Sequence, residues 1–138
     1  MTGAPVTAAT WSIAQAEHGR VQITLRGDFE EPHAVALEAT LRERLAAAPS
    51  GALEVVVSIG DLTRCSVEAR DVLLRTQRYL GGVARRTAYV ANRPLFRGVG
   101  LWICHHAPDA NARTFASPAQ AEVWLAEATR RDDDLAHK

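Results

Sequence analysis

Apolar and polar positions alternate most cleanly at Val21-Gln22-Ile23-Thr24-Leu25, where three of the five residues are β-branched. A period of two predicts a half-buried strand with Val21, Ile23 and Leu25 on its inner face. Trp11-Ser12-Ile13-Ala14 alternates in the same way and ends at His18-Gly19, so Gly19-Arg20 separates two such runs. That arrangement predicts a hairpin. The period then changes. Leu37, Leu41 and Leu45 recur every four residues, Ala34 and Ala48 extend the stripe, and Glu38, Arg42, Glu43 and Arg44 lie off it. This is the pattern of an amphipathic helix packed on a core. Its start falls in Asp28-Phe29-Glu30-Glu31-Pro32, with Asp28 or Glu31 as cap and Pro32 in the first turn; Pro49-Ser50-Gly51 ends it.

Val55-Val56-Val57, inside the segment Leu53 to Leu62, abandons alternation, as strands covered on both faces do. From Ser66 to Leu80 the helical spacing returns through Ala69, Val72, Leu73 and Thr76, and Gly81-Gly82 is expected to close that helix. Thr87 to Ala91 predicts a short strand. After Asn92-Arg93-Pro94 a third helix carries Leu95, Val99, Trp102 and Ile103 on one face. Arg113-Thr114-Phe115 is the last strand. Ser117-Pro118-Ala119-Gln120 then reads as a capped start, with Val123, Trp124, Leu125 and Ala128 on the buried face of the final helix. The order β-β-α-β-α-β-α-β-α predicts a single-domain α/β fold, a mixed sheet with an antiparallel hairpin at one edge. The domain is expected over residues 11–128, between a loose opening (1–10) and a charged, solvated tail (129–138) that includes Arg130-Arg131-Asp132-Asp133-Asp134.

Composition narrows the function classes. The 138 residues suffice for one core, and 47% of them are apolar, so neither metal nor disulfide is needed to hold it. Sixteen basic residues cancel sixteen acidic ones. No global field attracts nucleic acid or an anionic membrane, and the cluster of Arg85-Arg86 with Arg93 and Arg97 is short. Cys65 and Cys104 sit in apolar stretches without the spacing of a disulfide framework or zinc motif, which predicts buried thiols in a reducing compartment. The opening segment does not read as a signal peptide, and no apolar run approaches the roughly 20 residues of a membrane span. A cytoplasmic protein is the expectation.

Three stretches carry a family resemblance: Val55-Val56-Val57-Ser58-Ile59-Gly60-Asp61-Leu62-Thr63; Cys65-Ser66-Val67-Glu68-Ala69 through Val72-Leu73-Leu74; and the run from Arg86 past Trp102 and Arg113-Thr114-Phe115 to Trp124-Leu125. Together they resemble the sulfate-transporter and anti-sigma-factor-antagonist (STAS) family, in a divergent branch sharing features with lipid-exchange (CRAL-TRIO) domains. The resemblance spans about residues 11–128. It implies a non-enzymatic module that binds a protein partner in bacterial-type signalling or scaffolding. Signalling members carry an Asp-Ser-Ser-Gly turn with a phosphorylatable serine; here the matching residues are Ser66, Val67, Glu68 and Ala69. The resemblance therefore implies a partner surface without the usual serine switch.

The partner-binding candidates are Asp61, Thr63, Arg64, Ser66, Val67, Glu68 and Arg70. Ser66 is also a candidate phosphorylation site, since a helix N-terminus favours negative charge, with Thr63 a second hydroxyl in the turn. Its plainer role is an N-cap worth about 1 kcal/mol. Glu68 reads as a first-turn carboxylate that suits the helix dipole. Phe96, Val99 and Trp102 are candidates for an apolar pocket, which would make a carrier or sensor of a small apolar molecule the alternative function. Gly98 and Gly100 lower the stability of that helix, and a tight helix–sheet contact is the favoured reason for them. Cys104-His105-His106 contains metal-ligand types, but adjacent helical residues diverge by about 100° and further ligands are lacking, so neither metal nor cofactor is expected. His18, His33 and His137 are isolated and expected to face solvent. Cys65 with a histidine of the third helix is the one conceivable nucleophile pair. An edge strand of the hairpin offers a route to a homodimer.

Overall fold

In this computed structural model residues 5–16, 19–107 and 111–136 are described, with side chains through residue 127. The alternating segments become neighbouring strands. β1 (Val6–Thr7), β2 (Trp11–Gln15) and β3 (Arg20–Phe29) pair antiparallel; β4 (Leu53–Cys65), β5 (Ala84–Val90) and β6 (Ala112–Phe115) continue from β3 in parallel. The sheet order is β1-β2-β3-β4-β5-β6. The predicted hairpin is present, with Val21, Ile23 and Leu25 all buried. β1 is an additional strand from the opening expected to be loose, and it covers part of β2's edge.

Four helices alternate with the parallel strands: α1 (Glu31–Leu45), α2 (Val67–Val83), α3 (Pro94–His106) and α4 (Pro118–Ala136). Crossovers of one hand that advance strand by strand must place their helices on a single face. α1, α2 and α3 do share one, burying Leu37, Leu41, Leu73, Phe96 and Ile103 against Ile23, Val55, Val57 and Ile59. α4 lies on the opposite face, with Ala121, Trp124 and Leu125 against Val56, Ala88 and Val90. The valine run is thus explained: Val55 and Val57 face one helical layer, Val56 the other. β4 is interior and leads directly into α2, as its sequence predicts.

Several local expectations are corrected. Asp28 belongs to β3, and α1 is preceded by Glu30, whose N–H donates to His33 Nδ1 at 3.0 Å. His33 is therefore half-buried in a cap rather than facing solvent. Gly81-Gly82 does not end α2, which runs to Val83. On α3 the buried positions are Phe96, Gly100 and Ile103, whereas Leu95 is 76% exposed. On α4 Val123 is 60% exposed. That helix continues to Ala136, past the expected end at 128. Its predicted start is present, with Gln120 N–H on Ser117 Oγ and the Gln120 side chain accepting from Ala116 N–H, both at 3.3 Å. His18 and His137 lie outside the described residues.

Candidate functional site

The parallel strands β3 to β6 all end at one edge of the sheet, and all four helices begin there. β3 and β4 reach furthest, ending together at the pair Phe29 and Cys65. Thr24 pairs with Ser58 but Arg26 pairs with Asp61, so β4 holds one extra residue, and a second shift follows between Gly27 and Asp28. The first bulge restores Leu62 to the side of Ile59, both fully buried, and leaves Gly60 and Asp61 to the other side.

The turn into α2 is held from within. Thr63 donates its hydroxyl to Asp28 Oδ1 at 2.6 Å. Ser66 donates its N–H to the Phe29 carbonyl at 3.1 Å, and its Oγ accepts the Ala69 N–H at 3.1 Å. Ser66 is the N-cap of α2, the plainer of its two expected roles. Burial pushes the Cys65 thiol up to about 11, against the opposing pull of the Arg70 guanidinium. A thiol so protonated is a poor nucleophile at neutral pH. His105 and His106 lie at the far end of α3 from the Leu95–Val99 segment that adjoins Cys65, roughly 10–15 Å along the axis at 1.5 Å per residue. The conceivable thiol–imidazole pair is not assembled.

Depressions among the described residues at this edge divide the predicted partner residues. The first, about 240 Å³, lies between the β4–α2 turn and α3 and is lined by Thr63, Arg64, Cys65, Leu95, Phe96 and Val99. Of the predicted pocket residues, Phe96 and Val99 belong to it and Trp102 does not. The Trp102 ring is covered by the Arg70 guanidinium at 3.8 Å and by the His106 ring at 4.5 Å. Arg70 is thus turned inward rather than presented to a partner.

The second depression, about 330 Å³, lies between α1 and α2, with Glu31, Glu68 and Asp71 near its upper end and Arg75 and Arg78 below. Arg75 grips Glu38 through three contacts of 2.6–3.0 Å, and this hydrogen bonding holds the Glu38 carboxyl below the usual range. Between the two depressions stands the first turn of α2, where Val67 is 59% exposed beside Glu68. The third, about 210 Å³, is on the α4 side and takes Asp61 away from the other predicted residues. Leu95 is the exposed residue at this edge that the pattern misses, because its helical spacing assigns it to the core. Among the described residues, no three His, Cys, Asp or Glu side chains converge to hold a metal ion, and no helix is long and apolar enough to cross a membrane.

The fold itself has known counterparts. An uncharacterised protein of the DUF3478 family from Shewanella loihica PV-4, with a SpoIIAA-like fold, superimposes with a TM-score of 0.63; the match covers 91% of this chain and 95% of that one at 16% identity. The anti-sigma factor antagonist SpoIIAA in its unphosphorylated form matches with a TM-score of 0.58 at 13% identity, over 86% of this chain and 98% of its own. No protein-family model matches the chain, and a comparison with curated proteins finds no match. The architecture is a single mixed α/β domain of STAS-like, SpoIIAA-like fold.

Proposed function

We propose that this chain is a non-enzymatic, cytoplasmic protein-interaction module whose contact surface is the ridge formed by the start of α2 and the start of α3. The observation that carries this reading is the pair of exposed aliphatic side chains on the ridge, Val67 at 59% and Leu95 at 76%, beside the charged groups Arg64 and Glu68. An exposed apolar centre rimmed by charge suits a partner protein better than solvent. The hydroxyls of the turn do not suit a switch. Ser66 Oγ is engaged as the α2 cap, and Val67 and Glu68 occupy the positions where signalling members carry hydroxyls. Partner binding here is therefore read as constitutive. The likeness to SpoIIAA supports the signalling context, and the ridge residues supply the chemistry.

The test is quantitative co-purification from the native host with wild type, Arg64→Glu, Leu95→Asp and, as a control on exposed α1 surface, Glu43→Arg. A partner retained by wild type and Glu43→Arg but reduced about tenfold by either ridge change supports the reading, in line with loss of one interface anchor. A partner indifferent to both ridge changes overturns it. The apolar wall of Leu95, Phe96 and Val99 favours a second reading, a small apolar ligand in the first depression. Its volume of about 240 Å³ would limit such a ligand to a small one. Native mass spectrometry of the same preparations separates the two, since a carrier retains an apolar adduct that Val99→Asp abolishes.

A further inference from the structure

The connections leaving the parallel strands do not all turn the same way. β5 passes to α3 on one face of the sheet, and its neighbour β6 passes to α4 on the other. Where adjacent strands send their connections to opposite faces, the loops part and leave a crevice beyond the strand ends. Open α/β sheets bind small ligands at such points. The third depression, about 210 Å³, lies there, with Val90 and Asn92 from the end of β5, and Ala116 and Pro118 from the β6–α4 connection.

Two further features aim polar groups into it. The bulge in β4 turns Asp61 toward this side, a common use of bulges beside binding sites. Gly60 lets the Asn92 amide lie across the strand: a Cβ at residue 60 would sit 3.2 Å from Asn92 Oδ1. Asp61 and Asn92 are both exposed, and neither side chain hydrogen-bonds to another described residue. Ser58 Oγ accepts from Gln22 Nε2 at 2.9 Å, which leaves the Ser58 hydroxyl proton to donate. Val90, Ala116 and Pro118 form an apolar floor.

The charges nearby select the ligand class. Arg26 is Asp61's cross-strand neighbour and is held on the Ala8 and Ala9 carbonyls at 3.4 and 3.3 Å. Arg93 donates to the carbonyls of Gly60 and Leu62. Asp61 is the charged residue that lines the depression, so an anionic ligand meets its carboxylate, and a cationic one is opposed by the Arg26 guanidinium on the neighbouring strand. A neutral vicinal diol meets neither objection. Its two hydroxyls donate in parallel to the carboxylate, and the C–H face of its ring lies on the apolar floor. We propose that this crevice binds a neutral vicinal diol of the monosaccharide type. The site is on the α4 side of the sheet and is independent of the proposed interaction ridge.

The experiment is a titration of the full, ¹⁵N-labelled chain with methyl β-D-ribofuranoside, followed by amide chemical shifts. The expected result is saturating shifts at Gly60, Asp61, Asn92 and Ala116, with dissociation in the millimolar range, read with probe up to about 100 mM. The 2-deoxy analogue, which lacks the vicinal pair, should bind about tenfold more weakly, as should the protein variants Asp61→Ala and Asn92→Ala. An otherwise unchanged spectrum shows that each variant is folded. Absence of saturating shifts overturns the proposal. So does equal binding of the deoxy analogue, indifference to both variants, or tighter binding of n-butylammonium than of the diol.

Discussion

Ser66 shows how a single side chain joins strand to helix. Its N–H is bonded to the end of β3 and its Oγ to the first turn of α2, so one residue satisfies both. Ser66→Ala removes only the second bond and should lower stability by about 1 kcal/mol. Ser66→Asp, an equally good cap with a charge that suits the helix dipole, should restore it. Urea denaturation measures both, as a shift in midpoint at constant slope. An alanine variant with the wild-type midpoint would show that Ser66 Oγ does not support α2. This cap was legible in the sequence because capping is local: a serine before a helical run determines its own partner. Leu95 was not legible. In α3 apolar residues stand at 95, 96, 99, 101, 102 and 103, nearly all round the helix, so spacing alone does not say which side meets the sheet.

What fixes the orientation of α3 is a glycine. A Cβ on Gly100 would lie 3.0 Å from the Thr114 side chain and 3.2 Å from Tyr89 Cβ, whereas one on Gly98 would meet nothing within 4 Å. The helix approaches β5 and β6 through its smallest residue, with Phe96 and Ile103 buried to either side of it and Leu95 and Leu101 left facing outward. The tight contact expected of the two glycines therefore belongs to Gly100 alone. The two alanine substitutions should have opposite signs. Gly98→Ala gains helix propensity at no steric cost and should stabilise by about 0.5–1 kcal/mol. Gly100→Ala must displace Thr114 or shift the helix and should destabilise by about 1–3 kcal/mol. Thermal unfolding of the pair measures this, and equal signs would mean that α3 does not dock on Gly100. At this scale the sequence revealed the described elements and their order except β1, whose two residues fall in the opening expected to be loose. It did not reveal their ends, since β3, β4 and α2 all run past their expected limits. Nothing local stops a strand that still has a partner to pair with, and Gly81-Gly82 is too weak a break against a buried Leu80.

The whole molecule is asymmetric about its sheet, and this was legible only in part. The valine run announced a strand covered twice, but not that three helices lie on one side and a single helix on the other. That division follows from topology for the first three, because α1, α2 and α3 each cross with one hand between neighbouring parallel strands, and α4 packs on the other face. α4 is also held by a different set of contacts. Trp124 is 6% exposed, with Arg86 over its ring at 4.4 Å and Phe115 at 5.5 Å; the Arg86 guanidinium also donates to the Trp124 carbonyl at 2.5 Å. Arg20 adds a bond to Glu122 at 2.6 Å. The larger core, built on α1 to α3, includes none of these residues. Loss of the indole should therefore loosen α4 without dissolving the rest. Trp124→Ala should cost about 3–5 kcal/mol, the range for truncating a buried aromatic. Native-state hydrogen exchange localises that cost. The expected outcome is faster exchange through the amides of α4, with Ile23 and Val57 in β3 and β4 retaining protection, and with capture of any partner on the α2–α3 ridge unchanged. Equal loss of protection in α4 and in those two strands would mean that both faces of the sheet fold as one unit.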